Sequence, residues 1–454
     1  MAIHSTAILS ASQKARSSIR PWTLVALLML AMVFSIIDRQ VLALLVEPIK
    51  DDLALSDTEL GVLLGPAFVS CYLLFGLPFG WAADRFPRRY VIALGVGIWC
   101  LATITCGLVG SFALLVVARA LVGAGEAALT PSSMSMLSDV FPRERMPLVT
   151  SVLSIAMHLG AASAFLVGGL VVSLVGEGVV FIPFLGELSA WRMTFVVVGT
   201  PGLALVAVFL LIREPLRTGT ATTAENERND YRTETAARSL RDFYRANRQT
   251  LNVHMSVSAL LTLSTYAFVS WAPSYLMRVH NASTENAAFT LGLVSLICGP
   301  LGALGGGVLS TRLHRNRGRD DAPWIVMATS ALGAALFGAL AFTTTNKMIM
   351  FPFVALAMLF GSLYLGVIHG ALQMITPAHL KGQMAAIMLM AMTGIGTTLG
   401  PVTVALLTDQ VFRDPLRVGH SIALVSVAAG LVAGYLLLRN LTSFQSSYRK
   451  VASL

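Results

Sequence analysis

The stretch Val117-Ala-Arg119-Ala-Leu-Val-Gly123-Ala-Gly125-Glu126-Ala-Ala-Leu-Thr-Pro131 decides how this chain is read. It is apolar and rich in small residues, yet it holds a full arginine and a full glutamate. Arg119 and Glu126 share one face of a helix, about 10 Å apart along its axis. In a soluble core such charges need only a local path to water. In a bilayer each costs on the order of 3 kcal/mol on insertion scales and has to face protein or a water-filled cavity.

The rest of the chain chooses the bilayer. Of 454 residues, 56% are hydrophobic and only 12% charged, with a mean hydropathy of +0.74. A soluble domain is roughly a quarter charged, so the composition indicates a polytopic membrane protein. The net charge of +9 does not signal nucleic acid, because the basic residues sit in short loops between apolar runs. Cys71, Cys100, Cys106 and Cys298 all fall inside apolar runs without metal-ligand spacing and read as small core hydrophobes. Neither a metal nor a cofactor is expected. The apolar run after the basic segment Met1 to Arg20 has no small-residue cleavage site, so it reads as a first span.

Twelve apolar runs follow, at 22–47, 59–83, 90–109, 112–138, 148–175, 191–212, 250–277, 287–311, 323–343, 348–375, 383–408 and 418–438. Lipid cannot satisfy backbone polar groups, and period-two alternation is absent, so the fold expected is all-α with twelve transmembrane helices. With the N-terminus inside, 24 of the 32 Lys and Arg residues lie in inner segments and 6 in outer loops. That bias makes both termini cytoplasmic. The connection 213–249, with 14 charged residues, divides the spans six and six. The expected organisation is an N-terminal segment 1–21, a six-helix bundle 22–212, the cytoplasmic linker 213–249, a second bundle 250–440 and a tail 441–454. Leu240, Phe243 and Tyr244, set beside arginines, suit a helix on the leaflet surface; a solvated linker is the alternative.

The halves echo one another. Span two ends in Gly80-Trp-Ala-Ala-Asp84-Arg85 and span eight in Gly307-Val-Leu-Ser-Thr311-Arg312, as a duplicated six-helix unit around a midplane site would. The turn Gly80 to Arg89, with Asp84, Arg85, Arg88 and Arg89, resembles the signature loop of the major facilitator superfamily. Here Gly80 is expected to permit close helix approach and the arginines to anchor at the inner headgroups. Pro87 stands where that pattern has glycine, and Thr311 replaces the aspartate in the second half. Arg119-Ala-Leu-Val-Gly123 resembles the fourth-helix arginine motif of the same superfamily. Within it the chain resembles the spinster family of lysolipid and sphingolipid transporters. Asp38-Arg39, the run Pro48 to Leu53 with Ser56-Asp57, Gly123 to Ala127, and Pro377 through Gly400-Pro401 to Asp409 carry that likeness. Eukaryotic members have Gly-Asp where this chain has Gly396-Thr397. The compact termini look like a bacterial member, which implies the inner membrane and a monomer.

Two spans carry charge at depth. Asp38 lies roughly 24 Å along the first span from Trp22, and Glu126 lies near the middle of the fourth. The resemblance implies that both helices line a central cavity, so Asp38, Arg39, Arg119 and Glu126 are expected to partner one another there, with Arg119 orienting Glu126. Burial raises a carboxylate's proton affinity and a guanidinium lowers it, so a Glu126 that alternates between paired and unpaired states would carry protons. Arg39 could hold a lipid phosphate, because its planar fork matches phosphate oxygens. A static cluster that only holds helices together is the alternative. Phe68, Tyr72, Tyr266, Trp271, Tyr364 and His369 are candidates for lining a substrate cavity, with packing as the plain alternative. His158 reads as a core histidine, Gly160, Gly168 and Gly169 as small-residue packing, and Asn281-Ala-Ser as a sequon by pattern only.

The expected function is secondary active transport, proton-coupled, of a lipid-like amphipathic molecule, with protons and membrane lipids as partners and no nucleic acid. A drug exporter or a small organic-anion symporter competes within the class. A membrane enzyme lacks a Ser/His pair or metal-ligand spacing, a channel lacks a filter signature, and no phosphate-binding loop for ATP is present.

Overall fold

The computed structural model describes residues 20–142, 145–176, 178–183, 186–215, 223–377 and 380–452. Lys14, Arg16, Arg143 and residues 216–222 of the central connection lie outside them. Among the described residues, twelve helices are long and apolar enough to cross a membrane: Pro21–Leu44, Asp57–Arg85, Arg88–Cys106, Phe112–Val140, Ile155–Val175, Ala190–Leu211, Leu240–His280, Thr284–Arg317, Ala322–Thr343, Lys347–Met374, Lys381–Phe412 and Pro415–Arg439. Each covers one of the twelve runs predicted from hydropathy. Leu77, Leu174, Leu211 and Met348 are about four-fifths exposed, as large apolar side chains facing lipid are.

Local chemistry sets the ends. Ser56 and Glu59 form a reciprocal capping box at the start of the second span. The eighth span runs through its basic turn until Gly318, at φ +60°, closes it by donating to the His314 carbonyl at 2.9 Å. Basic His314, Arg315 and Arg317 in that last turn complement the negative end of the helix dipole. The seventh span continues a helix that starts at Thr223 and kinks at Asn247. In that helix Leu240 and Phe243 pack on the core, so the segment read as either a surface helix or a linker is helical. Val179–Ile182 and Gly186–Ser189, to which the sequence assigned nothing, form an antiparallel pair with Val179 opposite Ser189.

The chain resolves into two compact units: the chain up to Arg39 with Ser70–Gly160 and Glu177–Ala221, and Gln40–Val69 with Ala161–Gly176 and Thr222–Leu454. In the first unit, the third and fourth spans meet through glycines. A Cβ on Gly125 would sit 2.6 Å from the Trp99 nitrogen, and one on Gly95 2.7 Å from the Gly125 carbonyl. Gly160, 2.6 Å from Ile36 by the same measure, lets the fifth span approach the first. In the second unit, the opening turns of the second span lie on the eleventh, where Cβ atoms on Gly61 and Gly65 would strike Ala405 and the Thr398 carbonyl at 2.8 and 2.5 Å. That unit's core gathers Trp324, Tyr364, Ile368, Met388 and Phe444.

Candidate functional site

The close approach of the third and fourth spans places the charges of the opening stretch. Glu126 is 2% exposed. Its Oε2 accepts from Ser35 Oγ and from Arg39 Nη2, both at 2.7 Å. Its Oε1 is buried without a hydrogen-bond partner. Asp38 is equally buried; its Oδ2 accepts from Thr103 Oγ1 at 3.1 Å, and its Oδ1 has no hydrogen-bond partner. All four predicted charges therefore meet in the first unit, and the hydrogen bonds divide them. The guanidinium on Glu126 belongs to Arg39, whereas Arg119 Nη1 donates to the Asp38 main-chain carbonyl at 3.1 Å. Facing directions explain this, since Arg39 and Ser35, four apart on the first span, present one edge to Glu126.

Beside the pair lies a cavity of about 260 Å³, walled by Met32, Ile36, Met134, Leu153 and Met157, with Arg39, Tyr72 and Glu126 at its polar edge. The Arg39 guanidinium stands 5.5 Å from the centre of the Tyr72 ring, a cation–π distance. An apolar pocket with one ion pair at its rim suits a molecule with a charged head and an apolar body. Among the described residues, no group of His, Cys, Asp or Glu side chains is arranged to hold a metal ion.

Tyr72 is the one predicted aromatic at this cavity. The others belong to the second unit. Phe68 is buried, and Trp271 is a strut whose Nε1 donates to the Pro401 carbonyl at 3.0 Å. Tyr364 is buried with its hydroxyl 3.4 Å from Thr265 Oγ1. Tyr266 packs by Gly400, and His369 is exposed.

The signature loop departs from expectation in two ways. Gly80 meets nothing within 4 Å where a Cβ would stand, so close approach is not its reason. Arg88 is buried, not at the headgroups. Its Nε donates to Glu214 at 2.9 Å, its Nη1 to Asp139 and to Ser135, and its Nη2 to the Pro215 carbonyl at 3.2 Å. Arg89 Nη1 caps the sixth span at the Ile212 carbonyl, 2.7 Å away. Arg85 lies over Trp81, and Asp84 is exposed.

Sequence reasoning missed a second arginine hub. Arg278, counted only as an outer-loop charge, donates Nε to Glu47 at 2.9 Å and Nη1 and Nη2 to the two oxygens of Asp57 at 2.5 and 2.7 Å. Lys50 also pairs with Asp57. Thr58 donates its main-chain N–H and hydroxyl to Asp409 at 2.6 and 2.7 Å. The available signal was the capping box, which fixes Asp57 and Thr58 at a helix start. His254, also missed, is fully buried and accepts at Nδ1 from Trp324 Nε1 at 3.3 Å.

The family model of the Major Facilitator Superfamily matches residues 28–401. An MFS-type efflux pump of Mycolicibacterium smegmatis is 27% identical over 420 residues, 91% of either chain. Protein spinster homolog 1 of Xenopus tropicalis is 25% identical over 412 residues, 86% of this chain and 73% of that one. A crystal structure of a bacterial homolog of the human lysosomal transporter Spinster, inward-facing and occupied, shares the fold with a TM-score of 0.74. That likeness, at 24% identity, covers 95% of this chain and 98% of the other. A match running from the first span into the eleventh settles the family: the chain belongs to the major facilitator superfamily, as a spinster-like, multi-pass membrane transporter.

Proposed function

We propose that the protein is a proton-coupled secondary transporter that moves a lysophospholipid- or sphingolipid-type molecule across a bacterial inner membrane by alternating access. The excess of basic residues in alternate loops supports cytoplasmic termini, and the long central connection supports two bundles of six spans, 22–212 and 250–440. The observation that carries the reading is the Arg39–Glu126 pair at 2.7 Å on the rim of an apolar cavity.

In this reading a proton and Arg39 compete for Glu126. Protonation neutralises the carboxylate and removes the charge that holds Arg39. The guanidinium then takes the phosphate or carboxylate of a substrate head, for which its planar fork is suited, while the apolar wall takes the chain. Substrate release returns Arg39 to Glu126 and expels the proton. Arg119, bonded to the carbonyl of the residue before Arg39, positions that part of the first span.

The test is flux into proteoliposomes under an imposed pH gradient, with a lysophospholipid, a sphingoid phosphate and a cationic drug as candidate cargoes. The expected result is gradient-driven flux of a lipid-like anion, absent in Glu126→Gln. Flux indifferent to the gradient, or a fully active Glu126→Gln, would overturn the coupling. The efflux-pump likeness and the three methionines of the cavity, which adapt to varied apolar shapes, favour a second reading, export of drugs, and gradient-driven flux of the drug alone would select it.

A further inference from the structure

The tenth span carries a break that the transport reading does not use. Its outer piece, Lys347–Leu363, and its inner piece, Ile368–Met374, are joined by a tight turn at Tyr364–Gly366. There Val367 N–H donates to the Tyr364 carbonyl, three residues back, at 3.0 Å. At the same place a side chain from the ninth span stands in the helical ladder. Ser330 Oγ donates to the Phe360 carbonyl at 2.6 Å and accepts from the Tyr364 N–H at 3.3 Å. Those two backbone groups are four residues apart and bond each other in an unbroken helix, so the hydroxyl replaces their bond with a bridge. Proline is not the cause, since Pro352 lies about two turns before the break.

The bridge has an alternative. Thr265, Thr329 and Thr343 each donate to the carbonyl four residues back on their own helix, at 2.9, 2.9 and 2.7 Å, the local bond open to any hydroxyl in a helix. By the same geometry a turn about χ1 takes Ser330 Oγ from Phe360 to the Val326 carbonyl of its own span. The Tyr364 N–H then closes on Phe360 directly. Each arrangement makes two hydrogen bonds and strands no donor, so neither is strongly preferred on that count. A cavity of about 30 Å³ beside the bridge gives the hydroxyl room to turn, with Ser264, Thr265 and Ser426 on its other walls. Span eight pins the break. Cβ atoms on Gly302 and Gly306 would stand 2.3 and 2.0 Å from the Leu359 and Leu363 carbonyls, and one on Gly366 2.0 Å from the Ala303 carbonyl. Such close backbone contact makes span eight a fulcrum. Past it, Ile368, Ala371 and Leu372 share their core with Met327, Met384 and Met388, whose flexible side chains adapt to a shifted neighbour.

We propose that Ser330 is the switch of a hinge in the tenth span. With its hydroxyl in the ladder the span is broken at Phe360–Val367; with its hydroxyl turned to Val326 the ladder closes and the span straightens. The inner piece, on which His369 and Gln373 are exposed, swings between the two forms. A bend of about 20° moves a residue nine positions past the hinge, roughly 13 Å away, by about 5 Å. The purpose of the swing rests on the alternating-access reading, whereas the swing itself is a property of this span and is measured without cargo.

The test measures the distance between spin labels at Gln373→Cys and Arg315→Cys, on the exposed inner ends of spans ten and eight. It uses the full chain in detergent, with the part-exposed Cys71 and Cys298 changed to serine. The labelled parent should give two maxima about 5 Å apart, the displacement of a 20° bend. Ser330→Ala, which has no hydroxyl for the bridge, should leave one. Ser330→Thr keeps the hydroxyl and should keep both maxima, as should Ser426→Ala, which removes a cavity hydroxyl outside the ladder. A single maximum in the parent, or two in Ser330→Ala, would overturn the hinge. Hydrogen exchange of the peptide holding Tyr364 reads the same change without labels. Closing the ladder in Ser330→Ala should slow that amide about fivefold, the factor for one hydrogen bond of ordinary net strength. Unchanged or faster exchange there would show that the bridge does not compete with the ladder. None of these readouts needs a gradient or a cargo, so failure of coupled transport leaves them standing and the two proposals fail separately.

Discussion

Arg39 and Arg278 are both arginines set against carboxylates inside a span-rich fold, yet their surroundings are built on different terms. At Arg278 all three guanidinium nitrogens donate, and Asp57 accepts at both oxygens from Arg278 and again from Lys50. At Arg39 the carboxylate is bonded through Oε2 only, and the buried Oε1 of Glu126 is left without a hydrogen bond. Arg88 also donates from every nitrogen, but its partner Glu214 keeps a buried Oε2 without a hydrogen bond, so its network stands between the two. A saturated network holds one arrangement and has to break as a unit. A carboxylate with an unmet lone pair is held by fewer bonds, which is what the proposed exchange at Glu126 requires. The difference separates a saturated clamp at Arg278 from the pair that the transport proposal treats as exchangeable.

The largest expected effect breaks this contrast at its exchanging end. Glu126→Gln keeps an acceptor for Arg39 and removes the proton site. Gradient-driven flux should fall to the level of empty vesicles, while unfolding stability moves by only about 1 kcal/mol. A variant that loses stability and flux together would show that the pair is another clamp.

The holding end should answer in the opposite sense. Arg88→Ala takes the buried guanidinium from Asp139 and Glu214, which are themselves only partly exposed. Removing one partner of a buried pair costs about 3–5 kcal/mol, so a large drop in the denaturation midpoint is expected. Arg278→Lys keeps the charge and loses the fork that spans both oxygens of Asp57. It should cost about 1.5–3 kcal/mol, the range for hydrogen bonds to charged groups. Chemical denaturation of the purified variants measures both; stability within error of the parent would mean that the geometry of the forks carries no weight.

The sequence made the spans, the charges at depth and the signature loop legible, because hydropathy and loop charge act within one segment. The partners were not legible. Arg39 finds Glu126 across 87 positions, Arg88 finds Glu214 across 126, and Arg278 finds Asp57 across 221. The four charges at depth were expected to partner one another with Arg119 orienting Glu126, but the sequence could not say which bond each makes: the first span presents Arg39 to that carboxylate and its own backbone to Arg119. Arg88 was placed at the headgroups as a loop arginine. The ends of the fourth and sixth spans converge on it instead, and no local pattern announces that convergence. Gly80 was read as a contact glycine on spacing alone, and open space surrounds it.

A copy of the same fork with an exposed arginine supplies the smallest and sharpest test. Arg319 donates Nε and Nη2 to the two oxygens of Asp321 at 2.9 and 2.8 Å, much as Arg278 grips Asp57. Both carboxylates are fully buried, but here the arginine side chain is 42% exposed, against 7% for Arg278. The hydrogen bonds from Arg319 hold the Asp321 carboxyl below the ordinary carboxylate range, outweighing its partial desolvation. A carboxylate with a depressed folded value binds its proton less readily than the unfolded chain does. Its contribution is therefore complete above the unfolded value and fades as pH falls through the folded one. Asp321→Asn should flatten that acid limb of the stability profile slightly and leave the neutral plateau almost unmoved, since water and salt screen the exposed partner. A loss at neutral pH as large as that of Arg278→Lys would show that geometry alone, not burial, sets the strength of these forks. The contrast between the clamps and the Glu126 pair would then have to rest on the number of bonds and not on where they lie.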